Sequence, residues 1–211
     1  MEAFAPGATW VEMGSIKPGE ARAQGARLIG RGFGYADAPV SGGTRGAEGA
    51  TLAIMAGCDA ETFARVRGVL SDLGRPVHVG PVGAGQLAKL ANQAIVACTI
   101  AAVAEAMLLL ERGGADPAAV REALRGGFAD SVILQQHGAR MTEGDFVPGG
   151  LTKFQIKDLD NALAEAGTLD LALPTVEAVN DRFKILRDEM DGGDLDHSAL
   201  YLQLRALNGL H

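Results

Sequence analysis

Along the first eighty residues the spacing of apolar positions changes period again and again, and each change marks an element. "TWVEM" (residues 9–13), "GYADAPV" (34–40), "ATLAIMAG" (50–57) and "RPVHVG" (75–80) read as strands. Between them "IKPGEARAQGARLIGRG" (16–32) and "DAETFARVRGVLSDLG" (59–74) have helical spacing, the first ending in glycine and the second opening on Asp59 as a plausible N-cap. Strand alternating with helix predicts a parallel α/β sheet. After "PVGAG" (81–85) the strands vanish: residues 87–110 are almost continuously apolar, and five further helix-periodic segments follow, separated by Gly, Pro or Asp. The predicted fold is therefore α/β plus all-α, with residues 1–82 forming the sheet part and 83–211 a helical domain built on one long central helix.

Composition narrows the functions open to such a chain. A 47% hydrophobic content over 211 residues supports a proper core, while the net charge of −7 and 5% aromatics leave no basic face or stacking platform for nucleic acid. Cys58 and Cys98 lack CxxC spacing, which predicts a reduced, cytoplasmic protein, and four scattered histidines predict no metal site. The apolar run over 94–110 falls short of the roughly 20 residues a membrane span needs, carries Glu105 and has no flanking basic clusters. A helix apolar all round is instead expected inside a helical assembly, which points to homo-oligomerisation.

Several short stretches have chemical potential. "DAPVSGG" ends in Ser41, Gly42 and Gly43, a turn that is either ordinary or a nest of backbone N–H groups for a carboxylate. Lys89, near the start of the apolar helix, is either a lysine snorkelling to water or a proton donor to a carbonyl oxygen. Asn92 and Gln93 either orient a substrate or satisfy buried backbone groups. "IKDLDNAL" places Lys157 and Asn161 on one helical face, with an ion pair between Lys157 and Asp160 as the plain expectation, and Asp196 of "DHSAL" reads as a helix cap.

In order, "WVEMGSIKP", "DAPVSGG", "GPVGAGQLAKLANQ", "IKDLDNA" and "DHSAL" resemble the β-hydroxyacid dehydrogenase family over essentially the whole chain. That family includes the 3-hydroxyisobutyrate dehydrogenases and, nearer in "KLANQ" and "RGGFADS", the tartronate semialdehyde reductases. The resemblance implies a Rossmann-like dinucleotide domain, here its C-terminal remainder, joined through the long helix to an oligomer-forming helical domain. It implies NAD or NADP as cofactor and a small carboxylate as substrate. By motif it makes Lys89 the catalytic lysine, assisted by Asn92 or Gln93. Ser41, Gly42 and Gly43 become the substrate-carboxylate turn, and Ser15 and Lys157 the cofactor contacts. Gly14 and Glu12 depart from the serine and aspartate usual in the family.

The chain has no G-x-G-x-x-G turn for a pyrophosphate. The expectation is weak or absent dinucleotide binding and no turnover by this chain alone. The alternative is a non-catalytic oligomeric remnant that binds small carboxylates or partner subunits.

Overall fold

The computed structural model describes residues 5–210 and divides into two compact units, Met1–Asn92 and Gln93–His211. The first contains β1 (Thr9–Glu12), α1 (Pro18–Ile29), β2 (Gly34–Asp37), β3 (Val40–Ser41), α2 (Gly43–Glu48), β4 (Leu52–Gly57), α3 (Ala60–Ser71), β5 (Gly74–Gly80) and the opening of α4 (Ala84–Gly113). The second contains the rest of α4, then α5 (Pro117–Ala123), α6 (Val132–Glu143), α7 (Thr152–Thr168) and α8 (Pro174–Glu189). It closes with a turn of 3-10 helix (His197–Ala199) leading into α9 (Leu200–Leu207).

Every predicted strand and helix has its counterpart, but the sheet is mixed rather than parallel. β1 and β2 run parallel, as do β4 and β5, while β3 lies antiparallel on β4 and a single antiparallel pairing, Asp37 with Gly57, joins β2 to β4. Pro39, which brings no N–H to a ladder, follows β2, and the chain then turns back as a two-residue strand too short to show any period. The six-residue α2 escaped the sequence reading because its glycines carry no apolar stripe.

β2 is buried at all four positions, between β1 and β4, and Ala38, Leu52, Ile54, Ala56, Val66 and Leu70 form the core of this unit. Asp59 caps α3 as expected, taking the Thr62 backbone N–H at 2.7 Å and its hydroxyl at 2.9 Å.

In the second unit one face of α4 carries the core. Ala97, Ile100, Ala104 and Met107 are all 0% exposed and pack with Ile156 and Leu159 of α7, Phe183 of α8 and Leu200 of α9. Each large side chain so buried contributes about 1.5–3 kcal/mol. An exposed ion pair such as Arg182 with Glu105 at 2.8 Å gives at most about 1 kcal/mol. Packing, not charge, therefore holds α4 in place. Its other side stays open: Leu87, Ile95 and Leu109 are exposed, in line with exposed Ala91 and Ala102. By length and composition α4 would suffice to cross a membrane, yet 39% of its most apolar stretch is already buried against other helices.

Candidate functional site

In the first unit, β3 ends at half-buried Ser41 and the chain turns through exposed Gly42 and Gly43 into α2. Both glycines have positive φ, 138° and 60°, and a Cβ on Gly42 would approach Leu52 Cδ2 to 3.2 Å. The turn thus needs glycine for its backbone and leaves its main chain open to solvent, as a carboxylate-binding turn requires.

Ser15, half buried, lies in the loop between β1 and α1. The two family departures beside it compensate each other. Glu12 curls back to accept the Gly14 N–H at 2.9 Å, and a Cβ on residue 14 would stand 2.9 Å from the same Glu12 Oε1. The longer carboxylate at position 12 fits because position 14 has no side chain. Lys89 and Asn92, both half buried, follow in the first turns of α4.

In the second unit, Gln93 and Lys157 are brought together by a residue the sequence reading did not single out. Asp158, 5% exposed, accepts from Gln93 Nε2 at 2.9 Å through one oxygen and pairs with Lys157 Nζ at 3.1 Å through the other. The expected Lys157–Asp160 ion pair does not form. Asp160 instead takes Lys184 Nζ at 2.9 Å and Asn180 Nδ2 at 2.8 Å from α8. Helix spacing alone favours an i,i+3 partner, but α8 offers Asp160 a cation across the bundle. Behind this set, Gln155 Nε2 donates to the Gln93 carbonyl at 3.2 Å and its Oε1 lies 3.2 Å from His197 Nδ1.

Tertiary structure also gathers histidines that are scattered in sequence. Among the described residues, His137, Asp196 and His197 form the one group of metal-ligand type, their ligand atoms within 4.8 Å of one another. Asp196 caps the 3-10 turn as expected, but it does more. Fully buried, it accepts from Gly149 N–H, Gly150 N–H, Ser198 N–H, the Ser198 hydroxyl at 2.6 Å and Arg140 Nη1 at 3.4 Å. Burial opposes its ionisation, yet these donors outweigh it and hold the carboxyl at about 2. With its lone pairs engaged and an arginine supplying the countercharge, Asp196 is suited to a structural strap rather than to a cation. His137 stacks edge-on against His197 at 4.8 Å, and burial lowers both imidazoles, His197 to about 4.

A dinucleotide asks for hydroxyl and cationic partners, and Ser15 and Lys157 are of that chemistry.

Comparison with known proteins places these residues in context. Residues 83–204 match the family model for NAD binding in NADP-dependent 3-hydroxyisobutyrate dehydrogenase, and residues 1–83 match that for the NAD-binding domain of 6-phosphogluconate dehydrogenase. The chain is similar to 2-hydroxy-3-oxopropionate reductase of Escherichia coli (strain K12), 44% identical over 202 residues, which are 95% of this chain and 69% of that protein. A probable 3-hydroxyisobutyrate dehydrogenase-like protein of Arabidopsis thaliana is 36% identical over 174 residues, 82% of this chain and 52% of the relative. Among solved structures, 3-hydroxyisobutyrate dehydrogenase of Mycobacterium tuberculosis with L-serine aligns at a TM-score of 0.84 and 31% identity, over 93% of this chain and 70% of that one.

Proposed function

Since the chain belongs to the 3-hydroxyisobutyrate dehydrogenase-like β-hydroxyacid dehydrogenases, and is thereby an NAD(P)-dependent hydroxyacid dehydrogenase, we propose that it interconverts a small 3-hydroxy acid and its semialdehyde, of the 2-hydroxy-3-oxopropionate type. The observation that carries this reading is Asp158, on which two motifs far apart in sequence, "KLANQ" and "IKDLD", meet through Gln93 and Lys157.

When bound, the dinucleotide exchanges a hydride with the reacting carbon of the substrate. The protein's own residues do the rest. Lys89 hydrogen-bonds the carbonyl oxygen and gives it a proton as negative charge develops there in the reductive direction. Asn92 or Gln93, about one helical turn after Lys89 in sequence, aligns the ammonium, and Gln93 donates its amide nitrogen to Asp158. The Ser41–Gly42–Gly43 turn holds the substrate carboxylate, which fixes the reacting carbon and makes the transfer nearly unimolecular. Ser15 and Lys157 hold the cofactor.

The apolar stripe of α4 through Ile95 and Leu109 supports a homo-oligomer formed through the helical unit. The test of function is NADH and NADPH consumption, by this chain and by a version extended at its N-terminus with a strand, glycine turn and helix, with 2-hydroxy-3-oxopropionate beside an aldehyde of similar size without a carboxylate. In the extended version the oxo acid is expected to react and the plain aldehyde to lag by at least ~100-fold in kcat/KM, about 2.7 kcal/mol of lost carboxylate binding. Equal rates would remove the role given to the Ser41 turn, and carboxylate binding without turnover would favour the non-catalytic reading.

A further inference from the structure

Gln86 is fully buried at the third position of α4. A carboxamide costs free energy to bury unless its donor and acceptor are both satisfied. Here they are, and by backbone on either side of one residue: Nε2 donates to the Gly14 carbonyl at 2.8 Å, and Oε1 accepts from the Ile16 N–H at 3.1 Å. One side chain thus bridges Ser15. The backbone N–H of Gln86 in turn donates to Asp37 Oδ2 at 2.8 Å, while Asp37 Oδ1 takes the Gly83 N–H at 2.7 Å. Asp37 is itself 0% exposed, and space for its carboxylate is secured by two glycines. A Cβ on Gly57 would stand 2.6 Å from Asp37 Oδ1, and one on Gly85 2.9 Å from Oδ2. The start of α4 is therefore pinned to β2 below and to the Ser15 loop beside it. Lys89 follows Gln86 by three residues, on the same helical face.

From this geometry we propose that Gln86 is a positioning residue: its carboxamide clamps the loop that carries Ser15 to the helical turn that carries Lys89, and Asp37 holds Gln86 in register. The cofactor-contacting hydroxyl and the proton-donating ammonium then keep a fixed spacing as one rigid piece. The inference rests on the roles given to Ser15 and Lys89 under the proposed function, but the clamp itself is readable without them.

The test uses two substitutions in the full chain. Gln86→Met keeps length and volume and loses both hydrogen bonds. Gln86→Glu keeps the acceptor for Ile16 but regains a donor to the Gly14 carbonyl only when its carboxyl is protonated. In Gln86→Met, hydrogen exchange at the Ile16 amide is expected to speed up at least ~10-fold while amides of β4 and β5 keep their protection. In Gln86→Glu, the Ser15 and Ile16 amide signals are expected to shift with pH as the introduced carboxyl titrates, and by more than in the unaltered chain, where Glu12 on the Gly14 N–H and Asp37 on the Gln86 N–H are the neighbouring carboxylates. In turnover by a version extended at its N-terminus with a strand, glycine turn and helix, Gln86→Met is expected to lower kcat about 10-fold with KM for the oxo acid changed less than about 2-fold, and Gln86→Glu to recover toward acid pH. Unchanged Ile16 exchange in Gln86→Met, or protection lost evenly through β4 and β5, would overturn the clamp. So would Ser15 and Ile16 signals in Gln86→Glu that follow pH no more than those of the unaltered chain. Undiminished turnover in Lys89→Ala would instead remove the function given to Lys89 and leave the exchange result standing.

Discussion

Lys89 and the two amides after it differ in how their surroundings commit them. Gln93 is tied through Asp158 to Lys157, and Asn92 precedes it in α4. In an active version extended at its N-terminus, replacing Lys89 by alanine is expected to remove at least ~100-fold of turnover with the fold retained, as befits a positioned proton donor on a helix whose core face lies further along. Gln93→Ala is expected to cost more turnover than Asn92→Ala; steady-state kinetics on the three variants decide this, and the reverse order would move the amide's role to Asn92. The lysine and its amides were legible as residue types, because a cation and two carboxamides are out of place at the head of so apolar a helix. Asp158 was not. One more acidic residue on an amphipathic helix looks like any other until folding buries it between two partners.

At the scale of elements, the loop between α6 and α7 is strapped to the 3-10 turn before α9 by Asp196, with His137 and His197 beside it. Both imidazoles titrate below the ordinary 6.5, His197 at about 4, so the unfolded chain takes up these protons first. Stability present above the ordinary value is therefore lost as pH falls from about 6.5 toward 4, roughly 2 kcal/mol between pH 7 and pH 5 for a group moved that far. Asp196, held at about 2, adds a further loss only below its ordinary 3.8. Urea unfolding of the chain at pH 7 and pH 5 should show this decline, and His197→Asn should flatten it. α4 makes a second prediction. With Ile95 and Leu109 exposed on one stripe, Ile95→Lys and Leu109→Lys together are expected to turn an oligomer into monomers by light scattering without unfolding them. A chain that is already monomeric at micromolar concentration would show that the stripe is not a subunit contact.

For the whole molecule, dinucleotide affinity is the quantity most exposed to the absence of a G-x-G-x-x-G turn from this sequence. Each charge-assisted hydrogen bond to a pyrophosphate is worth roughly 1.5–3 kcal/mol, so losing two weakens binding more than ~100-fold. Titration of this chain with NADH and NADPH is expected to give affinities weaker than micromolar, and a version extended at its N-terminus by a strand, glycine turn and helix is expected to bind more tightly. Micromolar binding by the chain itself would mean that other residues hold the cofactor. Apart from β3 and α2, the order of elements, the cap at Asp59 and the change from α/β to all-α are properties of local periodicity, and the sequence alone determined them. The antiparallel return of β3, the burial of Gln86 and Asp37, the meeting of Gln93 with Lys157 on Asp158, and the pairing of Asp160 with α8 rather than with Lys157 were decided only by tertiary structure. Periodicity reports which face of an element is apolar, whereas a hydrogen bond between residues tens of positions apart depends on which faces the packed elements turn toward each other.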